Sequence, residues 1–274
     1  MKINDDEWFE LQFRPEEAFK KYGVKLPALP SDEIQIGFTG SSGLFNMRQA
    51  FSFYKYVCSV CQISNIREPL ILDFGGGWGR ISRFFLRDTK PESIFIAETR
   101  EYAIDCLRKY AAGCSIIHNQ PRPPIPGLPG QLDLACAYSV FSHLSEEYFQ
   151  AWVNYLLSVL RPGGYLVFTT RGQFFINHLE HLHSKTEKPH EVLEEYVRRM
   201  LEELPSPEEI RRHYLNGEFQ FYPIGGAGEC TADFFGETFI PKRYIEQNFG
   251  PFFVDLTDDV QYVDQSVVVL RKPA

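Results

Sequence analysis

ILDFGGGWGR, residues 71–80, sets four glycines behind a short apolar run that ends in a carboxylate, Asp73. A strand that breaks into glycine before a helix bares backbone amides where side chains would block a ligand. In an open parallel sheet such turns lie beyond the carboxyl ends of the strands, where ligands bind. Spacing then selects the ligand. A dinucleotide fingerprint needs G-x-G-x-x-G, but Gly75, Gly77 and Gly79 give G-x-G-x-G, and Arg80 takes the third fingerprint position. No Gly-Lys-Ser/Thr follows, which excludes a phosphate P-loop. Asp73, two residues ahead of Gly75, would repel a pyrophosphate and welcome a cation.

Outward from the turn, strand and helix patterns alternate. PLILDF (69–74) reads as a buried strand and RISRFFLRD (80–88) as the helix behind the turn. SIFIAE (93–98) is the next strand, followed by a helix over EYAIDCLRKYAA (101–112). CSIIHN (114–119) and LDLACAYSV (132–140) are strands three and four, separated by PRPPIPGLPG (121–130), a stiff surface loop. A helix from 146 to 160 is expected to stop at RPGG (161–164), where a turn opens into a fifth strand, YLVFTT (165–170). FFVDL (252–256) and QSVVVL (265–270) lie close enough to close the sheet as an antiparallel hairpin at its edge. The expected fold is α/β: a seven-stranded, mostly parallel, doubly wound sheet with its last strand antiparallel.

One domain is expected over 46–274, preceded by a cover at 1–45 and interrupted by an insertion at about 173–250. FTGSSG (38–43) precedes a helix striped by Met47, Ala50, Phe51, Tyr54, Val57, Cys58 and Cys61, and Ser41 or Ser42 is placed to cap it. In the insertion, EVLEEYVRRMLEEL (191–204) is strongly amphipathic, and Ser206-Pro207-Glu208-Glu209 restarts a helix with a capping box. GEFQFYPIGGAGECTADFFGETF (217–239) reads as loop with short extended pieces.

Composition narrows the function. The 274 residues carry a net charge of −8, which offers nucleic acid no electrostatic footprint, and 44% apolar residues, enough to fill a core. The first twenty residues lack an unbroken apolar run and no later stretch could span a bilayer, so a soluble, cytoplasmic protein is expected. Cys58 and Cys61 form a lone C-x-x-C inside the helical stripe, which makes them small core residues rather than a metal or redox pair. His178, His181, His183 and His190 also fail as a metal site. On a helix, positions 178 and 181 sit about 60° apart but 183 is about 140° from 178. A solvated face is expected.

Glu98 ends the second strand 19 positions past Gly79, where a carboxylate can accept both hydroxyls of a ribose. A nucleoside with a cationic tail suits both acids, and S-adenosylmethionine is such a molecule. DFGGGWGR (73–80), Glu98, YSVFSHLSEE (138–147) and LLSVLRPGGYLVFTT (156–170), in that order, resemble the class I S-adenosylmethionine-dependent methyltransferases. The resemblance covers about 65–172, and the closing strands at 252–270 agree with it. It implies that Asp73 holds the amino-acid end of the cofactor, that Gly75, Gly77 and Gly79 let it lie against the turn, and that Glu98 takes the ribose. Asn119 occupies the position where many members carry an aspartate near the adenine, and an amide can pair with that base. Tyr138 and Ser139 would flank the sulfonium.

Methyl transfer demands alignment and exclusion of water; a base helps a hydroxyl acceptor, whereas alignment can suffice for a neutral amine. His143, just after the fourth strand, is the candidate catalytic base, although the V-F-x-H-L pattern also serves to pack the helix. Plant phenolic O-methyltransferases carry a catalytic histidine in this segment. Aligned on Ser145-Glu146-Glu147, theirs falls on Ser142. Arg171 could face an anionic substrate or be an ordinary surface arginine. Phe219, Phe221 and Tyr222 could line an apolar acceptor pocket or belong to the core. The Asn/Asp-Pro-Pro-Tyr pattern of base-amine enzymes and the Pro-Cys of cytosine C5 enzymes are both missing, so the acceptor is expected to be a small molecule or sugar. The alternative is a cofactor-binding protein of the same fold without turnover; a nicotinamide oxidoreductase is opposed by Asp73.

Overall fold

The computed structural model describes residues 3–111, 113–184, 191–224 and 230–274. Three short helices, α1 (Asp5–Leu11), α2 (Pro15–Tyr22) and α3 (Asp32–Thr39), precede the long α4 (Gly43–Cys61). Then come β1 (Ile71–Phe74), β2 (Ile94–Glu98), α5 (Glu101–Tyr110), β3 (Ser115–His118) and β4 (Leu132–Ala137). They are followed by α6 (Glu146–Val159) and β5 (Leu160–Thr170). The insertion contributes α7 (Gln173–Ser184), α8 (Glu191–Glu203), α9 (Pro207–Asn216), β6 (Gln220–Tyr222) and β7 (Glu237–Phe239). The chain closes with α10 (Lys242–Phe249), β8 (Phe253–Thr257) and β9 (Ser266–Arg271).

Seven strands form one sheet in the order β3-β2-β1-β4-β5-β9-β8. The first five are parallel, and β9 runs antiparallel to both β5 and β8. The strand order reverses between β1 and β4, so the crevice beyond their carboxyl ends is the switch point of the sheet. Alternation along the strands divides the core in two. Ile71, Ile94, Ile96, Leu134 and Val167 face α1, α4 and α5, while Leu72, Phe74, Ala97, Ala135 and Phe168 face α6 and α10. A third, smaller apolar cluster, Ile176, Leu179, Met200, Ile210 and Phe239 among its members, holds the insertion together.

Several local expectations are corrected. The segment behind the glycine turn is a tight 3-10 coil over Ser82–Arg87 rather than an α-helix. Its residues Ser82–Leu86 are all buried, and its first amide is held by Asp73, so i→i+3 bonds suit the confined space. RPGG does not open a turn: α6 passes directly into β5 at Leu160, with a register shift between Leu132 and Leu134 absorbing the change. Ser42 takes the N-cap position of α4, but its side chain makes no capping bond. The Gly43 amide instead donates to the Gln35 side chain at 3.1 Å, tying α3 to α4. Ser206 does cap α9, accepting from the Glu209 amide at 3.2 Å. The pieces expected in 217–239 appear as β6 and β7, paired antiparallel. Cys61 is buried in the core and Cys58 half-buried beside it. Among the described residues no helix is long and apolar enough to cross a membrane.

Candidate active site

β1 delivers Asp73 to the floor of the crevice, where it is 1% exposed. Its Oδ2 accepts from the Ser82 amide at 3.1 Å and from the Ser82 hydroxyl. Burial, the largest influence, lifts the Asp73 carboxyl to about 6; the Ser82 hydrogen bonds and the Arg80 charge oppose the rise, and Glu98 adds to it. Arg80 lines the same cavity, but Asp73 makes no salt bridge among the described residues.

The glycine turn is required by packing as well as by any ligand. Gly75 has φ +71°, and a Cβ there would fall 2.4 Å from Val140 Cγ2 in the loop after β4. At Gly77, φ is +58° and the ring of Phe38 on α3 would lie 3.2 Å from a Cβ. Phe38 stacks on Tyr102 at 5.7 Å, so the N-terminal segment reaches across to the start of α5 and covers the turn.

A cavity of about 120 Å³ opens here, and Asp73, Gly75, Gly77, Tyr138 and Ser139 of the expected set line it. Gly79, Glu98, Asn119 and His143 do not. Glu98, at the end of β2, instead grips the turn from beside it: its carboxylate accepts from the Gly77 amide at 3.2 Å and the Thr99 amide at 2.9 Å. Asn119 lies next to Glu98, joined by the Asn119 N–H donating to Glu98 O at 3.0 Å. Its side-chain amide donates to Gln120 O at 2.8 Å, while its buried Oδ1 has no partner. Ser139 holds φ +58°, a conformation costly for a side chain. Thr169 Oγ1, 2.7 Å from its amide, and Gln265, donating to its hydroxyl at 2.9 Å, fix it there.

Several lining residues escaped the reading of the sequence, Arg80, Asp264, Phe38 and Gln265 among them. Arg80, noticed only as a missing glycine, is buried and donates to Gln49 at 2.8 Å and to Asn46 O at 3.1 Å. Its guanidinium lies 4.8 Å from the Tyr138 ring centre. Asp264, just before β9, accepts from Gln49 at 2.9 Å and faces the Tyr138 hydroxyl. Phe38 and Gln265 line the cavity as well. Nothing local in the sequence marks Phe38, Asp264 and Gln265, because they reach the crevice from the N-terminal cover and the closing hairpin.

Beyond the same strand ends, His143 is joined to buried charges. Its Nδ1 lies 2.8 Å from Gly236 O and 3.4 Å from Glu237 Oε1, and its ring stacks on Phe235 at 4.9 Å. Glu237, 1% exposed, pairs with Arg171 and accepts from the Tyr196 hydroxyl. Burial pushes the Glu237 carboxyl up, but Arg171, then His143 and Tyr196, outweigh it and hold it at about 2. Arg171 is therefore neither a surface arginine nor open to an anionic substrate: it is buried and already paired. Phe219 packs on Phe149 and Tyr244, and Tyr222 on Phe239, both half-buried against the core clusters; neither they nor Phe221 line the cavity. His178, His181 and His183 are exposed on α7, His190 lies outside the described residues, and no metal-binding cluster occurs among the described residues.

The donor set fits a cationic nucleoside: strand-end acids, bare amides and an unsatisfied buried acceptor at Asn119. Comparison with known proteins agrees. Residues 71–164 match the family model described as a methyltransferase domain. A search of curated protein sequences returns no match. Among solved structures, a plantazolicin methyltransferase in complex with a triazolic desmethylPZN analogue and SAH is 14% identical, with 98% of each chain covered and a TM-score of 0.50. The magnesium protoporphyrin IX methyltransferase from Synechocystis PCC 6803 with bound SAH is 11% identical, covering 93% of this chain and 97% of its own, TM-score 0.50. An S-adenosylmethionine-dependent methyltransferase from Clostridium acetobutylicum ATCC 824 is 10% identical over 81% of this chain and 92% of its own, TM-score 0.50. These likenesses concern the fold. Residues 71–164 therefore match a methyltransferase domain, set in a sheet whose fold these solved methyltransferases share.

Proposed function

We propose that this enzyme methylates a small molecule or sugar at the carboxyl end of its sheet, with His143 as general base. The observation that carries the reading is the crevice at the switch point, where Asp73, Tyr138, Ser139 and Asp264 line one cavity beside the glycine turn. When bound, S-adenosylmethionine supplies a methyl group already activated by its sulfonium. Asp73 and Asp264 would hold the positive end of that ligand, and the amides of Gly75 and Gly77 would admit it against the backbone. Gly79 shapes the turn, with its amide donating to Gly76 O at 2.8 Å. Glu98 would exchange its bond to the Gly77 amide for the ribose hydroxyls. Asn119 Oδ1, buried and unpaired, is suited to accept from the adenine amino group. Tyr138 and Ser139 would flank the sulfonium.

One hydrogen bond supports the reading of His143 as the base. A carbonyl oxygen can only accept, so the contact with Gly236 O assigns the proton to Nδ1 and leaves the lone pair of the neutral ring on Nε2. The net charge of −8 argues against nucleic acid as acceptor. The N-terminal cover and the insertion, which meet where α3 packs on α8, would shape the acceptor side. The test is incubation of the purified enzyme with methyl-labelled S-adenosylmethionine and fractionated small-molecule extract, followed by mass analysis of the labelled product. Label entering a low-molecular-weight compound supports the reading. A folded protein that gives no heat on titration with S-adenosylmethionine or S-adenosylhomocysteine would overturn it.

A further inference from the structure

The turn that carries His143 does not stand alone. The segment leading into β7 is bonded along it, residue by residue. The Ser145 amide donates to Phe234 O at 2.9 Å, the Gly236 amide to His143 O at 2.8 Å, and the Thr238 amide to Ser142 O at 2.9 Å. The Thr238 hydroxyl adds a bond to Leu144 O at 2.7 Å. This pairing sets the register that brings both the Gly236 carbonyl and the Glu237 carboxylate to one edge of the imidazole. Phe235, whose ring lies 7° from parallel with it, fixes the plane.

Glu237 is in turn anchored. Arg171, at the end of β5, pairs with it and donates to the Tyr196 hydroxyl at 2.9 Å. Tyr196, from α8, donates to the other carboxylate oxygen. A buried carboxylate held by a guanidinium and a phenol stays ionised, and its nearest unclaimed role is toward His143. Packing alone would not require a charge here, since an apolar side chain would fill the same space without desolvating three polar groups.

Resting on the methyltransferase reading above, we propose that Glu237 is the positioning residue of His143, and that the pair fits the enzyme to an acceptor bearing a hydroxyl group. In the transfer the acceptor oxygen forms a bond to the methyl carbon while the carbon–sulfur bond breaks, its electron pair going to sulfur. The hydroxyl proton passes to His143 Nε2. The imidazolium so formed is stabilised by ionised Glu237, and its proton then leaves from Nε2 to water. A neutral amine acceptor carries its own lone pair and needs no base for the bond-forming step, so this network would serve it no purpose.

The test reads His143 directly. Nitrogen-15 histidine spectra of the S-adenosylhomocysteine-loaded protein should show the Nδ1–H tautomer for its neutral form. Carbethoxylation of His143 by diethyl pyrocarbonate, located by mass mapping, should slow about three- to tenfold in Glu237→Gln, with partial recovery in Glu237→Asp. S-adenosylhomocysteine affinity, measured by calorimetry, should not change in either variant. Should Glu237→Gln unfold with Arg171 left unpaired, the double variant Arg171→Met/Glu237→Gln removes both charges and should show the same slowing. Wild-type reactivity at His143 in a folded Glu237→Gln or in the double variant overturns the proposal, as does an Nε2–H tautomer in the wild type. A labelled product carrying its new methyl on nitrogen overturns the hydroxyl assignment. Loss of cofactor binding by the wild type would instead strike at the methyltransferase reading, so the two failures are distinguishable.

Discussion

Two carboxylates, Asp73 at the glycine turn and Glu237 at the base of the insertion, are each 1% exposed, yet their protons are held in opposite ways. Asp73 is lifted to about 6 and Glu237 is drawn down to about 2. Burial raises both. The difference lies in the partners: Asp73 receives hydrogen bonds from neutral Ser82, whereas Glu237 is paired with the guanidinium of Arg171. Arg80 acts on Asp73 only at a distance, so that end of the site is left without a salt bridge, and the other already contains one. A cofactor pocket must be incomplete before its ligand arrives, while a base must be oriented beforehand.

The sharpest way to break this contrast is to remove the acid from the preassembled end. Glu237→Ala strands Arg171 as a buried, unpaired charge and should cost about 3–5 kcal/mol of folding stability, read from urea unfolding. A loss under 1 kcal/mol would mean that water already reaches the pair. Next in size, His143→Ala should slow the methyl step by about 10²–10⁴-fold while cofactor affinity stays at the wild-type value. Unchanged turnover would return His143 to a packing role beside Phe235.

At the other end, Asp73→Ala and, separately, Glu98→Ala should weaken S-adenosylmethionine binding about tenfold or more, about 1.4 kcal/mol. Wild-type affinity in folded variants would remove either residue from the cofactor site. The pH dependence follows from the same contrast. In the free protein the raised Asp73 carboxyl gives a stabilising contribution that is fully present below its ordinary value of 3.8 and lost as pH rises through about 6. A cationic ligand favours the ionised acid, so binding should expel a proton and weaken about tenfold per unit below pH 6. Calorimetry at pH 5 and pH 7.5 in buffers of different ionisation heat checks this, and a flat profile would place the positive end elsewhere. Glu237 has the opposite sign: its contribution is present above its ordinary value of 4.5 and is lost as pH falls toward about 2. The smallest effect expected is none at all. With no metal cluster among the described residues and Cys58 and Cys61 packed in α4, a chelator should leave the melting temperature where it was.

Local chemistry made much of the fold legible. Each parallel strand is a short apolar run, and alternation along it sends Leu72 and Phe74 to one core and Ile71 to the other. The closing hairpin was readable because its two runs are separated by a few polar residues. The errors arose where tertiary contact overrode local preference. RPGG carries strong turn signals, yet pairing of Leu132 with Leu160 draws it into β5. Ser41 and Ser42 are good caps by type, but Gln35 reaches the free amide first. Arg171 is polar and follows a strand, which suggests the surface, until Glu237 is brought beside it.

By itself, the sequence determined the alternating sheet, the glycine turn and the carboxylates at the ends of β1 and β2, because each is written within about ten contiguous residues whose spacing reports the backbone they form. Tertiary structure alone decided that His143, Arg171, Tyr196 and Glu237 form one network, and that Arg80 and Asp264 face Tyr138. Those groups come from separate elements, and their meeting depends on how β7 pairs along the turn after β4 and how the closing hairpin docks on β5. Such pairings are set by the burial of whole faces, a property that no single stretch of chain carries.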